Sequence, residues 1–473
     1  MVAKAAAPTP GPTSALAETM APPSPAGPVD DGRPVAMPPG RRLSRVQQTL
    51  RFVASPLDTN LAARREFGDV WQLHLLSRRE PFIVTCHPDH VRSLFKASPP
   101  DAPSLTGESP LRPIIGPNSV LTSIGERHMR QRKLLLPPFH GEAVQRYVEM
   151  ISGVAEQEIE RWPVGTPFSL APRMQAVTLE VIMAGVFGIS GRQPRDSPQF
   201  RLRQTIRRML LASTKPFYQL IELHNVGRIE PRGVLRAVLA LVDRHLYAVI
   251  RERRATGAGR HDVLSLLLNA RDDEGEALTD QELRDELMTL VLAGHETTAN
   301  SLAWTFERLL RTPAAYDRLR EVTRSGDESD AEAYVEATIN EGMRVRPVVP
   351  MIVRMAKRRW QFGQYVVPAG TPVAVSIVAL HHREDVYPEP FRFAPERFVG
   401  SKPGTYTWIP FGGGIRRCLG ATLAMAEQRV VLRAIARRTN LRAPDPRPEQ
   451  PRQRNVTMIP RYGGRVVLEG KLP

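Results

Sequence analysis

A lone cysteine in a glycine-rich stretch constrains this chain more than any other feature. Residues 411–420 read FGGGIRRCLG, and Cys418 is one of only two cysteines among 473 residues. The residues after it, LGATLAMAEQRVVLRAIARR, have the apolar spacing of an amphipathic helix. The free N–H groups and dipole of a helix N-terminus favour a thiolate, and Arg416 and Arg417 add positive charge. The glycines allow a flat, bulky ligand to approach the backbone.

A single thiolate cannot form a zinc site, which needs three or four ligands, but haem iron accepts one as an axial ligand. A buried, inert cysteine is the alternative. The stretch resembles the haem-ligand loop of the cytochrome P450 family, the haem-thiolate monooxygenases, at Phe411, Gly414, Arg416, Cys418 and Gly420. The resemblance implies that Cys418 is the iron ligand and that Arg416 and Phe411 contribute to haem binding.

A second match lies in residues 280–312, where one helical stripe changes from leucine to small and polar residues. The Thr297 hydroxyl can bond to the Ala293 carbonyl and bend the helix locally, so a simple helix kink is the alternative. Residues 293–297, AGHET, resemble the oxygen-binding motif of the family. The resemblance implies that dioxygen lies against Gly294 and that Glu296 and Thr297 form the catalytic proton relay. We expect His295, at the variable position, to be packed or hydrogen-bonded.

Two further segments resemble haem-binding positions of the family. His128 and Arg132 in GERHMRQRK are four residues apart and share one face of a predicted helix. A solvated basic face is the alternative. The resemblance assigns both residues to the haem propionates, and it assigns Arg354 to the same role.

The fold class predicted is mainly α with small β-sheets, an α+β chain with the cytochrome P450 fold. Glu341, Arg344 and Arg397 match the family in order and spacing, which implies a buried charge network behind the cysteine loop. We expect a hairpin at residues 67–84, and strands over residues 348–383 that place His381 and His382 on opposite faces. One haem domain is predicted over residues 39–473, after an Ala/Pro-rich, disordered segment at residues 1–38.

Composition indicates in which compartment the protein works and which classes of partner it can have. Two cysteines exclude a disulfide framework, and no stretch reaches the ~18 apolar residues of a membrane span, so a cytoplasmic, soluble protein without a membrane span is predicted. The net charge of +16 comes from scattered arginines without a nucleic-acid motif, so no nucleic-acid partner is expected. The basic surface is explained equally well by docking of an acidic electron carrier or by an arginine-rich proteome.

The resemblance implies a monooxygenase with haem b that inserts one atom of O2 into a small lipophilic substrate. No flavin or nicotinamide module follows the cysteine loop, so we expect electrons from NAD(P)H to arrive through a ferredoxin and its reductase. We also expect the protein to be a monomer. Two rival functions remain: a haem-thiolate peroxygenase or isomerase on the same fold, and a non-catalytic haem-binding or gas-sensing protein. The predicted relay of Glu296 and Thr297 argues against both.

Overall fold

Helices dominate the computed structural model, which describes residues 22–30, 32–105, 109–139, 141–191, 193–213, 221, 225, 228, 230–257 and 262–472. In that part of the chain the helices are α1 (Arg45–Ala54), α2 (Pro56–Phe67), α3 (Pro88–Lys96), α4 (Arg112–Ile115), α5 (Gly125–Leu135), α6 (Glu142–Glu160), α7 (Leu170–Phe187), α8 (Pro198–Ser213), α9 (Gly233–Thr256), α10 (Val263–Asn269), α11 (Asp280–Leu309), α12 (Pro313–Ser325), α13 (Glu328–Val345), α14 (Ile377–His381) and α15 (Ala421–Arg438).

The strands in the described part of the chain form four small sheets. They are β1 (Ala26–Pro28), β2 (Val70–Leu73), β3 (Phe82–Thr85), β4 (Phe168–Ser169), β5 (Met351–Ala356), β6 (Trp360–Phe362), β7 (Tyr365–Val367), β8 (Thr371–Ser376), β9 (Thr439–Arg442), β10 (Pro451–Arg454), β11 (Thr457–Pro460) and β12 (Arg465–Lys471). Their orders are β2-β3-β8-β5, β1-β6-β7, β4-β12-β9 and β10-β11. Among these strands of the described residues, only β3 and β8 pair in parallel. The predicted mainly helical α+β fold is confirmed, as is the hairpin, now β2 and β3.

Helix α11 is the central element. A capping box formed by Thr279 and Glu282 starts it, and it continues for 30 residues. Its second half is buried at Leu302 and Phe306, which belong to a core shared with α6, α7, α13 and α15. Its first half is buried at Leu283 and Leu287 in a second core with α7 and α9. Because both cores include α11, this helix fixes the position of any site built along it.

Helix α7 is long and apolar enough to cross a membrane, although no such span was predicted. Of its 18 residues, 67% are buried inside the protein. It packs closely on α11 and also contacts α6. Its apolar surface is therefore covered by other helices, as in the core of a globular domain.

The charge network predicted around Glu341 is present; Glu341 and Arg344 are fully buried, and Arg397 is half-buried. Arg344 donates from Nε and Nη2 to the Glu341 carboxylate at 2.7 and 2.8 Å, and Arg397 donates to the same group at 3.3 Å. Arg344 also donates to the carbonyl oxygens of His381 and Pro390. Removing one member would leave a buried charge unpaired, at a cost of about 3–5 kcal/mol.

Two expectations were wrong. The segment at residues 1–38 is not disordered throughout, because Ala26–Pro28 pair with β6; residues 1–21 lie outside the described part. Main-chain pairing of this kind needs no apolar pattern, so composition could not reveal it. His381 and His382 do not lie on a strand. They end helix α14, both are buried, and the His381 ring accepts a hydrogen bond from the Ile409 N–H at 2.9 Å.

Candidate active site

The cysteine loop runs from Phe411 to α15. The Cys418 N–H donates to the Phe411 carbonyl at 2.9 Å, and the Phe411 ring packs edge-on against Trp408. Many protein atoms surround the Cys418 thiol, but part of the residue's surface remains accessible to solvent. Burial raises the pKa of the Cys418 thiol, while the Gly420 N–H, Arg132 and Arg417 act to lower it. The net direction is opposite to the sequence prediction, and a bound metal ion would favour the thiolate.

The glycines before Cys418 serve a packing role that was not predicted. A Cβ on Gly413 would lie 2.2 Å from the Phe95 ring, and a Cβ on Gly414 would lie 2.4 Å from the Phe95 carbonyl oxygen. At Gly412 and Gly420 nothing lies within 4 Å of the Cβ position. The close approach at Gly413 and Gly414 is therefore to the end of α3, and the open sides are at Gly412 and Gly420.

Four of the sequence-predicted residues form one cationic cluster: His128, Arg132, Arg354 and Arg416. The pKa of His128 is lowered to about 3 by burial and then by Arg416, Arg132 and Arg354, so the imidazole is neutral. Burial also lowers the pKa of both Arg354 and Arg416 to about 10. Within the described residues no carboxylate forms an ion pair with any of the three guanidinium groups.

Backbone carbonyl groups satisfy part of this cluster. Arg416 donates to the carbonyl oxygens of Val120 at 3.2 Å and Ser123 at 2.5 Å, and Arg354 donates to Val353 at 3.2 Å. A void of about 380 Å³, partly open to solvent, is bordered by His128, Arg354 and Arg416 but not by Cys418. Arg354, which is buried, and Arg416, which is half-buried, face this void without a carboxylate partner, and such cations fit a ligand that brings its own carboxylates.

Helix α11 presents a polar notch. The Thr297 hydroxyl donates to the Ala293 carbonyl at 2.7 Å, as predicted, and this pair lies on an open face of the helix. Gly294 faces α7 instead of the notch, because a Cβ at this position would lie 2.5 Å from Ile182 Cδ1. Ser301 donates to Gln428 of α15 at 2.6 Å, which brings the helix that follows Cys418 against α11.

The profile of the cytochrome P450 family matches residues 38–466. The chain belongs to the cytochrome P450 family. It is 38% identical over 418 residues to a Mycobacterium tuberculosis protein provisionally named cytochrome P450 137, covering 85% of this chain and 83% of the relative. It is 36% identical over 440 residues to one from Mycobacterium bovis provisionally named cytochrome P450 135B1, covering 91% of each.

Solved structures share the fold of this cytochrome P450. Retinoic-acid-bound cyanobacterial CYP120A1 matches with a TM-score of 0.78 and 23% identity, covering 93% of this chain and all (100%) of that chain. The haem domain of cytochrome P450DA matches with a TM-score of 0.73 and 24% identity, covering 93% of this chain and 99% of the other. As a cytochrome P450, the protein is a haem-thiolate monooxygenase that binds haem and uses O2.

The residues present fit a haem group. Haem is flat and carries two carboxylates, which match the unpaired cations of the cluster. Iron needs one thiolate from the protein, and Cys418 is exposed within its enclosing loop. The open glycines Gly412 and Gly420 leave space beside the loop. Geometry thus supports the cofactor that the family implies.

Glu296 lies in an environment that sequence reasoning missed. Arg454 donates to its Oε1 atom from Nε at 3.1 Å and pairs with it through Nη2 at 2.7 Å. The Thr457 hydroxyl donates to the same oxygen at 3.0 Å. Arg454 and Thr457 come from the β10–β11 hairpin of this cytochrome P450. No local signal could reveal them, because 158 residues separate Arg454 from Glu296.

His295 is packed beside the notch, as expected. Its carbonyl oxygen accepts a hydrogen bond from the Thr178 hydroxyl at 2.6 Å. Its ring is buried, and burial lowers its pKa to about 4. The imidazole is therefore neutral, and Nδ1 has no hydrogen-bond partner among the described residues.

Proposed function

We propose that this cytochrome P450 hydroxylates, or oxidises in a related way, a lipophilic small molecule with electrons from a separate redox partner. The observation that carries the proposal is the cluster of three guanidinium groups without a carboxylate partner, next to the loop of Cys418. In the proposal Cys418 is the thiolate ligand of the iron. Arg132, Arg354 and Arg416 bind the haem carboxylates, and neutral His128 donates one hydrogen bond to them.

The bound haem supplies the oxidation of a C–H bond by one oxygen atom of O2, while the other atom leaves as water. Thr297 holds its proton on Oγ1 and donates it to the Ala293 carbonyl at rest. Rotation about χ1 would turn this hydroxyl toward the open face of α11, where it can hold water or donate a proton. Glu296 receives protons from solvent on the side of the β10–β11 hairpin and delivers them through water to Thr297.

The sequence predicts that dioxygen lies against Gly294. We keep this placement as a proposal, but we now argue it from the residues beside Gly294. Gly294 packs against Ile182, so the absence of a side chain there serves the contact between α7 and α11. The exposed residue of the notch is Ala293. We infer that the small side chain of Ala293 and the hydroxyl of Thr297 together leave the space next to Gly294.

The redox partner we propose is an acidic ferredoxin, reduced from NAD(P)H by its reductase. Support comes from the net charge of +16 and from exposed Arg417 next to Cys418. Arg132 adds a second charge that acts on the same thiol. Charge complementarity of this kind accelerates association at low salt.

The substrate class we propose is lipophilic. Val348, Val349, Met351 and Ile352, the residues expected to face it, are all apolar and lie before and within β5. Val348 is buried, and the other three are partly buried. A wall of this kind selects for apolar area rather than for one functional group.

An optical titration of the ferric protein tests the proposal. Fatty acids, terpenoids, steroids and aromatic compounds are added in turn, and at least one class should shift the Soret band toward the high-spin form. Product formation with ferredoxin, its reductase and NAD(P)H should follow for that class. Turnover with peroxide alone would favour the peroxygenase, and normal haem and O2 binding without NAD(P)H consumption would favour the sensor. Cys418→Ala should abolish the thiolate spectrum; an unchanged spectrum would refute the ligand assignment.

A further inference from the structure

Helix α1 places apolar side chains outward and a polar one inward. Val46, Leu50 and Val53 follow the i, i+4, i+7 spacing of one helical face, and they are 51%, 64% and 39% exposed. The opposite face is buried at Gln48 and Phe52. Phe52 faces the core as expected, but the stripe of three apolar residues faces outward, whereas the apolar stripe of a surface helix normally faces the core.

The inward glutamine is well satisfied, so the orientation of α1 is specific. The Gln48 amide donates to the carbonyl oxygens of Leu43 at 2.9 Å and Arg41 at 3.3 Å. Its Oε1 atom accepts from the His74 N–H at 3.0 Å. Rotating α1 to bury its leucine and valines would break these hydrogen bonds and leave the His74 N–H and the two carbonyl groups without their partner.

The apolar face extends beyond the helix. The Leu76 N–H donates to the Thr49 hydroxyl of α1 at 2.9 Å, and the Leu76 side chain is 55% exposed. Val46, Leu50, Val53 and Leu76 therefore form one surface, the outer α1 patch. Contiguous exposed apolar residues of this kind mark interaction sites, whereas single ones do not.

Positive charge surrounds the outer α1 patch. Arg42 precedes the helix, Arg51 lies on it, and Arg79 follows Leu76 by three residues; all three are exposed. None of these three guanidinium groups has an ion pair or hydrogen bond within the described part of the chain. An apolar ridge bordered by unpaired arginines is complementary to a lipid surface with anionic headgroups.

We propose that α1 docks this protein peripherally on an anionic membrane surface through the outer α1 patch. The apolar side chains enter the boundary between headgroups and acyl chains, and the arginines contact the lipid phosphates. No helix spans the bilayer in this arrangement. Helix α1 also packs on β10, the strand whose Arg454 binds Glu296, so the docked helix is in direct contact with the hairpin that holds Glu296.

Co-sedimentation of the full-length holoenzyme with vesicles tests the proposal. The protein should bind phosphatidylglycerol vesicles, bind phosphatidylcholine vesicles far more weakly at equal salt, and dissociate as salt shortens the range of electrostatic attraction. The variant Val46→Ser/Leu50→Ser/Val53→Ser should lose at least about tenfold in partitioning. The variant Arg42→Gln/Arg51→Gln/Arg79→Gln should lose the preference for anionic lipid.

The matched control is Val164→Ser/Val399→Ser, because these valines are 57% and 45% exposed elsewhere on the surface. It should bind vesicles like the wild type. All variants change exposed side chains, so their thermal unfolding should match the wild type. No binding to phosphatidylglycerol, or equal loss in control and patch variants, would overturn the proposal. Concentration-dependent dimerisation that the patch variant abolishes, without vesicle binding, would instead identify an interface between two copies.

Discussion

The carboxylate of Glu296 is bound to the guanidinium of Arg454 at 2.7 Å, across 158 residues of sequence. The exposed fractions of the two side chains are 20% and 14%, so the pair is largely shielded from water. Thr457 adds a third hydrogen bond to the same oxygen. In the proposed relay, a carboxylate held in this way cannot deliver a proton toward Thr297 until the ion pair opens.

Replacing Arg454 by Met should therefore speed proton delivery and weaken the fold. We expect the solvent isotope effect on turnover to decrease, because Glu296 no longer has to break an ion pair with Arg454 before it transfers a proton. We also expect the free energy of unfolding to fall by about 1–3 kcal/mol, since Glu296 loses a charge-assisted partner. Steady-state kinetics in H2O and D2O and equilibrium unfolding measure the two effects.

Two variants serve as controls for Arg454. Arg454→Lys retains the charge and should stay near the wild type in both measurements. Thr457→Val removes one hydrogen bond but leaves the ion pair, so both effects should be smaller and in the same direction. An isotope effect that does not change in Arg454→Met would mean that Glu296 is not released before the proton transfer.

Thr297→Ala should divert electrons from product to peroxide. In the proposed relay this hydroxyl donates the proton on the open face of α11, and its loss would leave the notch without that donor. General acid–base groups typically contribute about 10²–10⁴-fold, so product formation should fall strongly while NAD(P)H consumption continues. The ratio of product to consumed NAD(P)H measures the effect.

Thr289→Ala is the matched control, because its hydroxyl donates to the i−4 carbonyl of Asp285 at 2.7 Å on the same helix. Thr289 is buried and lies outside the notch. Both substitutions remove a hydrogen bond from a hydroxyl to the i−4 carbonyl, but only Thr297→Ala should change the ratio of product to consumed NAD(P)H. Equal ratios in the two variants would show that the hydroxyl of Thr297 has no part in proton transfer.

Local motifs allowed much of the scaffold and the cysteine loop to be predicted. Glu341 and Arg344 are one helical turn apart, and Arg397 lies in a recognisable segment, so their network could be expected. Contacts between elements that are distant in the sequence could not be predicted. The binding of Glu296 by Arg454 and the packing of Gly294 on Ile182 depend on where a hairpin and a helix dock, which no periodicity encodes. The rise in the pKa of Cys418 likewise reflects enclosure by the whole fold.

Gly294→Ala should separate packing from oxygen binding. The added Cβ would lie 2.5 Å from Ile182 Cδ1, so overpacking should lower the free energy of unfolding by about 1–3 kcal/mol. Adding Ile182→Val removes the clashing atom and should restore most of that loss. If Gly294 serves only packing, coupling recovers along with stability; if dioxygen lies against it, coupling stays low.

Gly153→Ala on α6 is the control for this experiment. Nothing lies within 4 Å of its Cβ position, so the substitution should stabilise the protein by about 1 kcal/mol through helix propensity alone. Failure of Ile182→Val to recover stability in the Gly294→Ala background would contradict the proposed contact between α7 and α11.

His128 should give the haem-free protein a specific dependence on pH. Its pKa is lowered to about 3 in the fold, by burial and then by Arg416, Arg132 and Arg354. An unfolded chain binds a proton at this histidine below about pH 6.5, whereas the folded chain does not until about pH 3. The free energy of unfolding should therefore fall as pH decreases through this window, with a slope of up to about 1.4 kcal/mol per pH unit from this residue.

His128→Gln should remove that slope while the other buried histidines, which are common to both proteins, keep theirs. The difference between the two unfolding curves therefore isolates His128. In the haem-bound protein the carboxylates of the cofactor offset the neighbouring guanidinium charges and raise the pKa of His128, so the difference should shrink. Identical slopes for the variant and the wild type without haem would mean that His128 is not a buried, neutral group, and that its assignment to the haem carboxylates is wrong.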